Sequence, residues 1–240
     1  MKIIEKLIAK QNDPAGAPPV TFAFLGDSVT QGCFESYVNG NGNVQTFFDK
    51  NNAYHAHFAK LLALLYPSVP VNIINAGISG GWAKHGLARL ERDVLRFSPD
   101  LTVVCFGLND CQGGRERIAE YAAALRGIFT ALCENGIETV FMTPNMMCTK
   151  VSHTVDRDLF RNVAAAIAGL QNAGILDRYI AAAIETAHNC GVRICDCYAK
   201  WKRMNECGVD TTELLANKIN HPDRDMNWLF AFALTETMFE

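Results

Sequence analysis

Residues 21–32 read TFAFLGDSVTQG, a short and mostly apolar run that ends in a polar turn containing two glycines. A run of this kind, bounded by turn residues, predicts a buried β-strand. In α/β proteins the functional groups lie beyond the carboxyl ends of the strands. The stretch therefore places Ser28 where such a protein carries a nucleophile, and Gly26 permits the tight turn that exposes its hydroxyl.

Strands and helices alternate along the rest of the chain. Further strands are predicted at 71–74, 101–106, 139–142 and 192–196, and helices at 3–10, 53–66, 84–97, 115–134, 161–189 and 226–238, with a break at Gly174. This alternation predicts a three-layer α/β fold, with a mainly parallel sheet of about five strands covered by helices on both faces. Residues 1–20 are expected to form an N-terminal helix and a Pro/Gly-rich linker, and residues 21–240 a single domain.

Composition and charge exclude several classes of protein. The 240 residues carry a net charge of −3 and no Lys/Arg cluster, so nucleic acid is not an expected partner. No apolar run approaches the ~20 residues that cross a bilayer, which predicts no membrane span. Charged residues interrupt the apolar positions of residues 1–10, so we expect no signal peptide.

The nine cysteines are an odd number for a disulfide framework. Several of them, including Cys105, Cys133 and Cys195, lie in apolar periodic segments. We interpret them as free thiols in a reducing compartment, which predicts a cytoplasmic location. Cys195 and Cys197 have no second Cys or His pair at zinc-ligand spacing, so no metal site is expected.

Two more polar turns follow predicted strands, GISG at residues 77–80 and GLND at residues 107–110. Because the carboxyl ends of parallel strands meet at one edge of a sheet, these loops should lie beside Ser28. An HP pair at residues 221–222, between the last strand and the last helix, then supplies an imidazole as a base. A turn-rich segment, NGNGN at residues 39–43, is expected to form a surface loop that overhangs the site.

These four segments, in this order, resemble the sequence blocks of the SGNH (GDSL-type) hydrolase superfamily. The resemblance implies a flavodoxin-like fold and the hydrolysis of carboxylic esters through an acyl-enzyme, with no metal or organic cofactor. It assigns the nucleophile to Ser28 and the base to His221. It also implies an oxyanion hole made by the backbone amides of Ser28 and Gly80 and the side-chain amide of Asn109.

Other residues compete for these roles. Cys33 is a rival nucleophile, because thiols are intrinsically better nucleophiles, but it lies outside the motif. Four histidines fall in predicted helices, where a histidine is usually a packing or surface residue: His55, His57, His85 and His188. His153, Trp82 and Asp27 are candidates for contact with substrate, and Asp27 is also expected to order its loop through hydrogen bonds to backbone amides.

The chain departs from the superfamily pattern in its last block. The usual block is Asp-x-x-His-Pro, in which the carboxylate orients the imidazole, whereas Lys218 stands three residues before His221. Asn217 is the first candidate for the orienting group, since an amide oxygen can accept a hydrogen bond from imidazole. The open alternatives are a main-chain carbonyl, a Ser–His dyad, or one of three carboxylates: Asp210, Asp223 and Asp225. We expect Nδ1 of His221 to face an amide or main-chain oxygen.

The motifs do not separate esterases, lipases, lysophospholipases and thioesterases. Aromatic residues flank the motif loops and are candidates for the lining of a small apolar or sugar-stacking pocket: Phe34, Tyr37, Trp82 and Phe106. A short-chain ester or an O-acetylated carbohydrate is therefore preferred over a long-chain lipid as substrate. The alternatives are a lysophospholipase or thioesterase, a catalytically impaired member that binds acylated ligands, and a nucleotide binder with residues 77–81 as its phosphate loop.

Overall fold

The protein is built on a parallel sheet of five strands surrounded by helices, in a computed structural model that describes residues 1–240. The strands are β1 (Val20–Gly26), β2 (Cys33–Val38), β3 (Val44–Phe48), β4 (Val71–Gly77), β5 (Leu101–Cys105), β6 (Glu138–Met142) and β7 (Arg193–Cys195). The helices are α1 (Lys2–Asn12), α2 (Ser28–Gln31), α3 (Tyr54–Leu65), α4 (Ala83–Ala88), α5 (Leu90–Asp93), α6 (Ile118–Glu134), α7 (Asp158–Asn172), α8 (Ile175–Asn189), α9 (Cys197–Glu206) and α10 (Asn227–Phe239). The main sheet has the order β4-β1-β5-β6-β7, and β2 and β3 form a separate antiparallel hairpin. The predicted fold class is confirmed.

Strand β1 lies between β4 and β5, and the apolar residues from Phe22 to Leu25 are fully buried. Burial on both faces is typical of a central strand in a parallel sheet. The register pairs Gly26 with Gly77 on one side and with Cys105 on the other. The three strands thus end at the same level, and the three polar turns predicted from the sequence leave the sheet side by side. The order of the strands reverses here, which is where open α/β sheets bind ligands.

The N-terminal helix packs on the same core as the rest of the chain. Ile3 and Leu7 of α1 are fully buried in it. The carboxylate of Glu138 at the start of β6 accepts hydrogen bonds from the N–H groups of Lys2 and Ile3. These contacts satisfy amides that the first turn of a helix leaves without partners.

Four elements lie where the sequence predicted none: α2, β2, β3 and α9. Residues 33–48 form the hairpin β2–β3, and the predicted loop at 39–43 is its tip. Most residues of the hairpin are exposed or half-buried, so no alternating apolar pattern marks it. Helix α9 begins after Asp196, whose carboxylate accepts the N–H of Ala199, and only a few of its residues are buried.

The helix predicted at 84–97 is divided into α4, α5 and a final 3₁₀ turn. The first division falls at Arg89, whose guanidinium turns inward. Its Nη1 donates to the main-chain oxygen of Ala76 at 2.6 Å, and its Nη2 to that of Gly26 at 2.8 Å. Arg89 thereby satisfies buried carbonyls at the ends of β4 and β1.

The predicted break at Gly174, with φ of +66°, is confirmed between α7 and α8. The fold contains no helix that qualifies as a membrane span.

Candidate active site

Ser28 is the first residue of α2, a single helical turn that follows β1 directly. Asp27 is the N-cap of this turn, and Oδ1 of its carboxylate accepts the N–H of Val29 at 3.0 Å. Gly26 leaves room for the turn, because a Cβ at this position would lie 2.0 Å from Oγ1 of Thr30. The turn therefore holds the serine hydroxyl at the carboxyl edge of the sheet.

The imidazole of His221 faces this turn. Its Nε2 lies 3.0 Å from Oγ of Ser28, and its Nδ1 lies 2.8 Å from the main-chain oxygen of Phe34 in β2. Since a carbonyl oxygen only accepts, Nδ1 carries the proton and Nε2 remains free to accept one from the hydroxyl. A nucleophile, a base and a group that orients the base thus stand in a row.

The structure corrects the prediction that Asn217 orients the imidazole. Oδ1 of Asn217 instead accepts the backbone N–H groups of Ile219, Asn220 and His221 at 2.9–3.0 Å. With its carbonyl used in this way, the Asn217 side chain shapes the turn from which His221 projects. Lys218, at the position of the usual acid, has φ of +56°, and the turn directs its side chain away from the imidazole.

The carboxylates considered as alternatives also lie elsewhere. Asp210 forms an ion pair with Lys150, and Oδ1 of Asp223 accepts the N–H of Met226 at 2.8 Å. Asp225 makes no hydrogen bond to the imidazole, whose two ring nitrogens contact Ser28 and the Phe34 carbonyl. Among the open alternatives, the main-chain carbonyl is the one present in the structure.

Two backbone amides beside the nucleophile, those of Ser28 and Gly80, make no hydrogen bond within the protein. Gly80 has φ of +72°, and no atom lies within 4 Å of where its Cβ would be, so a ligand has room to approach this stretch of backbone. Gln31 holds the loop in place, since its Oε1 accepts the N–H of Ser79 at 2.6 Å. Free amides at a strand edge are suitable donors for a developing oxyanion.

The side-chain amide of Asn109 connects the three loops. Its Nδ2 donates to the main-chain oxygen of Gly81 at 3.1 Å and lies 3.5 Å from Oδ2 of Asp27. The structure thus brings Ser28, Gly80 and Asn109 to one edge of the sheet. Their service as an oxyanion hole stays a prediction.

Comparison with known proteins agrees with this geometry. Residues 24–229 match the GDSL-like lipase/acylhydrolase family, and this span contains all the residues described above. The chain belongs to this family. The resemblance to the SGNH (GDSL-type) superfamily that the four sequence segments indicated is therefore confirmed.

Individual relatives of this GDSL-family protein include carbohydrate esterases. An acetylxylan esterase from Geobacillus stearothermophilus is 34% identical over 87 residues, which are 36% of this chain and 38% of that protein. The crystal structure of an acetylxylan esterase from the same organism has a TM-score of 0.66 at 20% identity, covering 91% of this chain and 94% of that one. An α/β hydrolase from the metagenome of Lake Arreo has a TM-score of 0.68 at 18% identity, covering 92% and 95%. The sequence match spans little more than a third of the relative's length, and the structural similarities concern the fold.

Burial controls the protonation of His221 in this GDSL-family site. It lowers the pKa of the imidazole below 6.5, while the hydrogen bond to Phe34 and the charge of Glu35 raise it. The net lowering leaves the imidazole neutral at neutral pH. A neutral imidazole is the form that can accept the serine proton.

Asp27 and Asp110 are two buried carboxyl groups beside the motif loops. Burial raises the pKa of Asp27 to about 7, the hydrogen bond from Val29 opposes this rise, and the charge of Asp110 adds to it. Burial also raises the pKa of Asp110 to about 6, although its Oδ1 accepts the N–H of Ala83 at 2.9 Å. Asp27 is only 1% exposed. Its carboxylate orders the turn, as predicted, and its predicted contact with substrate stays a prediction.

We expect Asp27→Asn to become increasingly stabilising, relative to wild type, as the pH is raised from 4 to 8. The pKa of Asp27 is higher in the folded protein than in an unfolded chain, so its stabilising contribution is complete below about pH 4 and is lost as the pH rises through about 7. A pKa of about 7 in place of 3.8 corresponds to at most ~4 kcal/mol over this window. Melting temperatures measured at intervals of pH test this. The exposed Asp156 offers the control Asp156→Asn, and a Tm difference for Asp27→Asn that is constant with pH would contradict the expectation.

The rival candidates are not placed for catalysis. Cys33 is buried, and burial raises the pKa of its thiol to about 11, so the reactive thiolate is scarce at neutral pH. His55 and His57 are buried in α3, and neither contacts Ser28. The remaining histidines are exposed: His85, His153 and His188. The predicted contact of His153 with substrate stays a prediction.

The aromatic residues proposed for a substrate pocket divide into two groups. Phe34 and Phe106 are buried. Tyr37 is exposed on β2, and Trp82 is half-buried before α4, with Nζ of Lys84 at 5.2 Å from its ring centroid. Only the second group presents aromatic surface to a ligand.

A cleft of about 330 Å³ lies between β2, the segment at 154–157 with the first turn of α7, and the turn at 216–218, and we call it the hairpin cleft. Its walls contain Glu35 and Asn217. Glu35 follows the residue whose carbonyl holds the imidazole, and Asn217 accepts the backbone N–H of His221. The cleft is therefore adjacent to the segments that position the base.

Three contributions to the site were not predicted from the sequence: the Phe34 carbonyl, the Gln31 amide and the Arg89 guanidinium. Gln31 lies within the quoted nucleophile motif, so its position gave a signal. Arg89 gave a weaker one, as a charged residue on the buried side of a predicted helix. A main-chain carbonyl gives none, because every residue has one.

Proposed function

We propose that this protein hydrolyses carboxylic esters with small acyl groups, in particular O-acetylated carbohydrates, through an acyl-enzyme on Ser28. The observation that carries the proposal is the 3.0 Å hydrogen bond between Nε2 of His221 and Oγ of Ser28. A serine hydroxyl becomes an effective nucleophile when an adjacent base takes its proton. The carbonyl of Phe34 fixes the tautomer of His221 that can do this.

In the first half of the reaction, Nε2 accepts the hydroxyl proton while Oγ of Ser28 bonds to the acyl carbon. The N–H groups of Ser28 and Gly80 and the amide of Asn109 stabilise the negative charge on the former carbonyl oxygen. The imidazolium then gives its proton to the leaving alcohol oxygen as the C–O bond breaks. In the second half, water gives a proton to Nε2 and adds to the acyl carbon, and Ser28 leaves with that proton as the acid is released.

Two observations support a carbohydrate ester. A relative that matches part of the sequence is an acetylxylan esterase. The hairpin cleft, which is adjacent to the segments that position the base, presents the exposed ring of Tyr37 together with the charged side chains of Glu35 and Arg157. An aromatic face with nearby hydrogen-bonding groups suits a sugar, which has both apolar faces and hydroxyls.

We expect kcat/KM for p-nitrophenyl acetate to exceed that for p-nitrophenyl octanoate by at least about 10-fold, as size discrimination in a fitted pocket allows. Acetate should also be released from acetylated xylo-oligosaccharides. Ser28→Ala is the control for both reactions. A preference for octanoate, or faster cleavage of a lysophospholipid or an acyl thioester, would favour the lysophospholipase or thioesterase alternative. Binding of acylated sugar without turnover would favour the impaired member.

We also propose a small-molecule ester as the partner and a cytoplasmic location. The support for the location is that all nine cysteines are free, since thiols persist in a reducing compartment.

A further inference from the structure

The main-chain carbonyl of Phe34, which contacts Nδ1 of His221, belongs to the hairpin β2–β3 and not to the main sheet. The hairpin β2–β3 is a two-stranded sheet of its own, without a hydrogen-bonded neighbour in the main sheet. A lone two-stranded hairpin is marginally stable at best. The position of the Phe34 carbonyl therefore depends on what anchors the base of this hairpin.

Arg224 is an anchor there, in addition to the buried side chains of Cys33 and Phe34. Its Nη1 and Nη2 donate to Oε1 and Oε2 of Glu35 at 2.6 and 3.1 Å, a bidentate ion pair. Its Nε donates to Oδ2 of Asp49 at 2.9 Å, and its guanidinium lies 4.4 Å from the ring centroid of Phe34. Glu35 is near the start of β2, and Asp49 directly follows β3. One guanidinium thus holds both strands at the base of the hairpin.

The same anchor is connected to the base through the chain. Arg224 stands three residues after His221, and Glu35 stands one residue after Phe34. The histidine loop and the hairpin are therefore joined at two adjacent points, one through Nδ1 and one through the guanidinium. Two contacts fix both the length and the direction of the Nδ1–H···O bond, which a single contact cannot do.

We infer that the Glu35–Arg224 ion pair is a positioning device for His221, in place of the carboxylate that usually contacts the imidazole. This inference rests on the proposed roles of Ser28 and His221. In the acetylxylan esterase of Geobacillus stearothermophilus, an aspartate-to-alanine variant is a catalytic mutant. In this chain the neutral carbonyl of Phe34 contacts Nδ1, and the negative charge belongs to Glu35, the next residue of β2.

The charge of Glu35 also acts on the imidazole and raises its pKa. Three other charged or titratable groups lie in this region. Asp27 is buried next to Ser28, Arg224 contacts Glu35, and Asp49 contacts Arg224. Glu35 therefore stabilises the imidazolium that forms when His221 takes the serine proton, and we expect the positive charge of Arg224 to act in the opposite direction. The two partners share one geometric role and have opposite electrostatic effects.

This difference gives the test. Glu35→Gln keeps a hydrogen-bond acceptor for Arg224 but removes the negative charge. Arg224→Gln removes the bidentate guanidinium and leaves the Glu35 carboxylate without this ion-pair partner. We expect each to lower kcat/KM for p-nitrophenyl acetate roughly 10-fold, as substitutions of outer partners of metal-bound histidines do. The pKa of His221, measured by NMR in the free protein and by the rising limb of kcat/KM, should fall in Glu35→Gln and rise in Arg224→Gln.

The matched control is Glu236→Gln, which removes the carboxylate of the Lys200–Glu236 ion pair on another face and should leave both readings unchanged. Arg224→Lys keeps the positive charge but not the bidentate contact, and it should retain more activity than Arg224→Gln. It also serves as the second variant if Arg224→Gln does not fold. Shifts of the His221 pKa in the same direction in both variants, or none in either, would overturn the inference. Since the NMR titration needs no substrate, a wild-type protein that cleaves no ester would count against the proposed function alone.

Discussion

Ser28→Ala is expected to lower kcat for p-nitrophenyl acetate by at least about 10⁴-fold, the scale found when a nucleophile is removed from serine proteases. The variant loses the atom that bonds to the acyl carbon, so the reaction must proceed by direct attack of water. The oxyanion donors and the binding of substrate are retained, which leaves a residual rate above that of solution. Steady-state hydrolysis gives the loss, and mass spectrometry after treatment with a fluorophosphonate identifies the modified residue.

The wild-type protein should gain one adduct, on the peptide that contains Ser28, and Ser28→Ala should gain none. The exposed Ser68 provides a matched control, and Ser68→Ala should keep both the rate and the adduct. Modification of Cys33 or of another serine, with Ser28 unmodified, would refute the assignment of the nucleophile.

Asn109→Ala is expected to lower kcat by roughly 10²–10³-fold with little change in KM, as the loss of an oxyanion donor does. One N–H of the amide is held by the Gly81 oxygen at 3.1 Å, and the second, whose nitrogen lies 3.5 Å from Oδ2 of Asp27, is the donor proposed for the developing charge. Because that charge is fully present only in the transition state, the loss should appear in kcat. Kinetics over a range of acetate ester concentrations separate the two constants.

The control for Asn109 is Gln112→Ala, which removes a neighbouring amide whose Nε2 lies 3.5 Å from Oδ1 of Asn109. This variant should keep kcat within a few-fold of wild type and reports on disturbance of the loop itself. An unchanged kcat in Asn109→Ala would remove Asn109 from the oxyanion hole. A rise confined to KM would instead assign it to binding of the ground state.

The central part of the fold could be predicted from the sequence because its elements have strong local signals. The apolar runs of β1 and β5 are buried on both faces, and their lengths bring the motif turns to one level. The hairpin β2–β3 has no such signal, since Tyr37, Val44 and Phe47 remain exposed. Helix α9 was missed for a similar reason, because it buries only three of its residues: Cys197, Tyr198 and Trp201.

The residues of the candidate site also fall into two groups, those that a local sequence motif locates and one that no motif locates. Four residues could be located because each lies in a short motif that follows a predicted strand: Ser28, Gly80, Asn109 and His221. The residue that accepts the Nδ1 proton could not be located, because a main-chain carbonyl can come from any residue, whereas Asn217 is a side-chain acceptor close to His221 in the sequence. Residues 34 and 221 are 187 positions apart, so their contact depends on the tertiary fold.

The use of a main-chain carbonyl in β2 alters which genetic changes can damage the site. A substitution at position 34 replaces the ring but leaves the carbonyl, so the acceptor of the Nδ1 proton survives missense changes there as long as the strand holds. An insertion or deletion of one residue ahead of it would be more harmful, because successive residues of a strand point in opposite directions and a shift by one turns the carbonyl away. We therefore expect the acceptor of the Nδ1 proton to tolerate a change of residue at position 34 but not an insertion or deletion between Ser28 and Phe34.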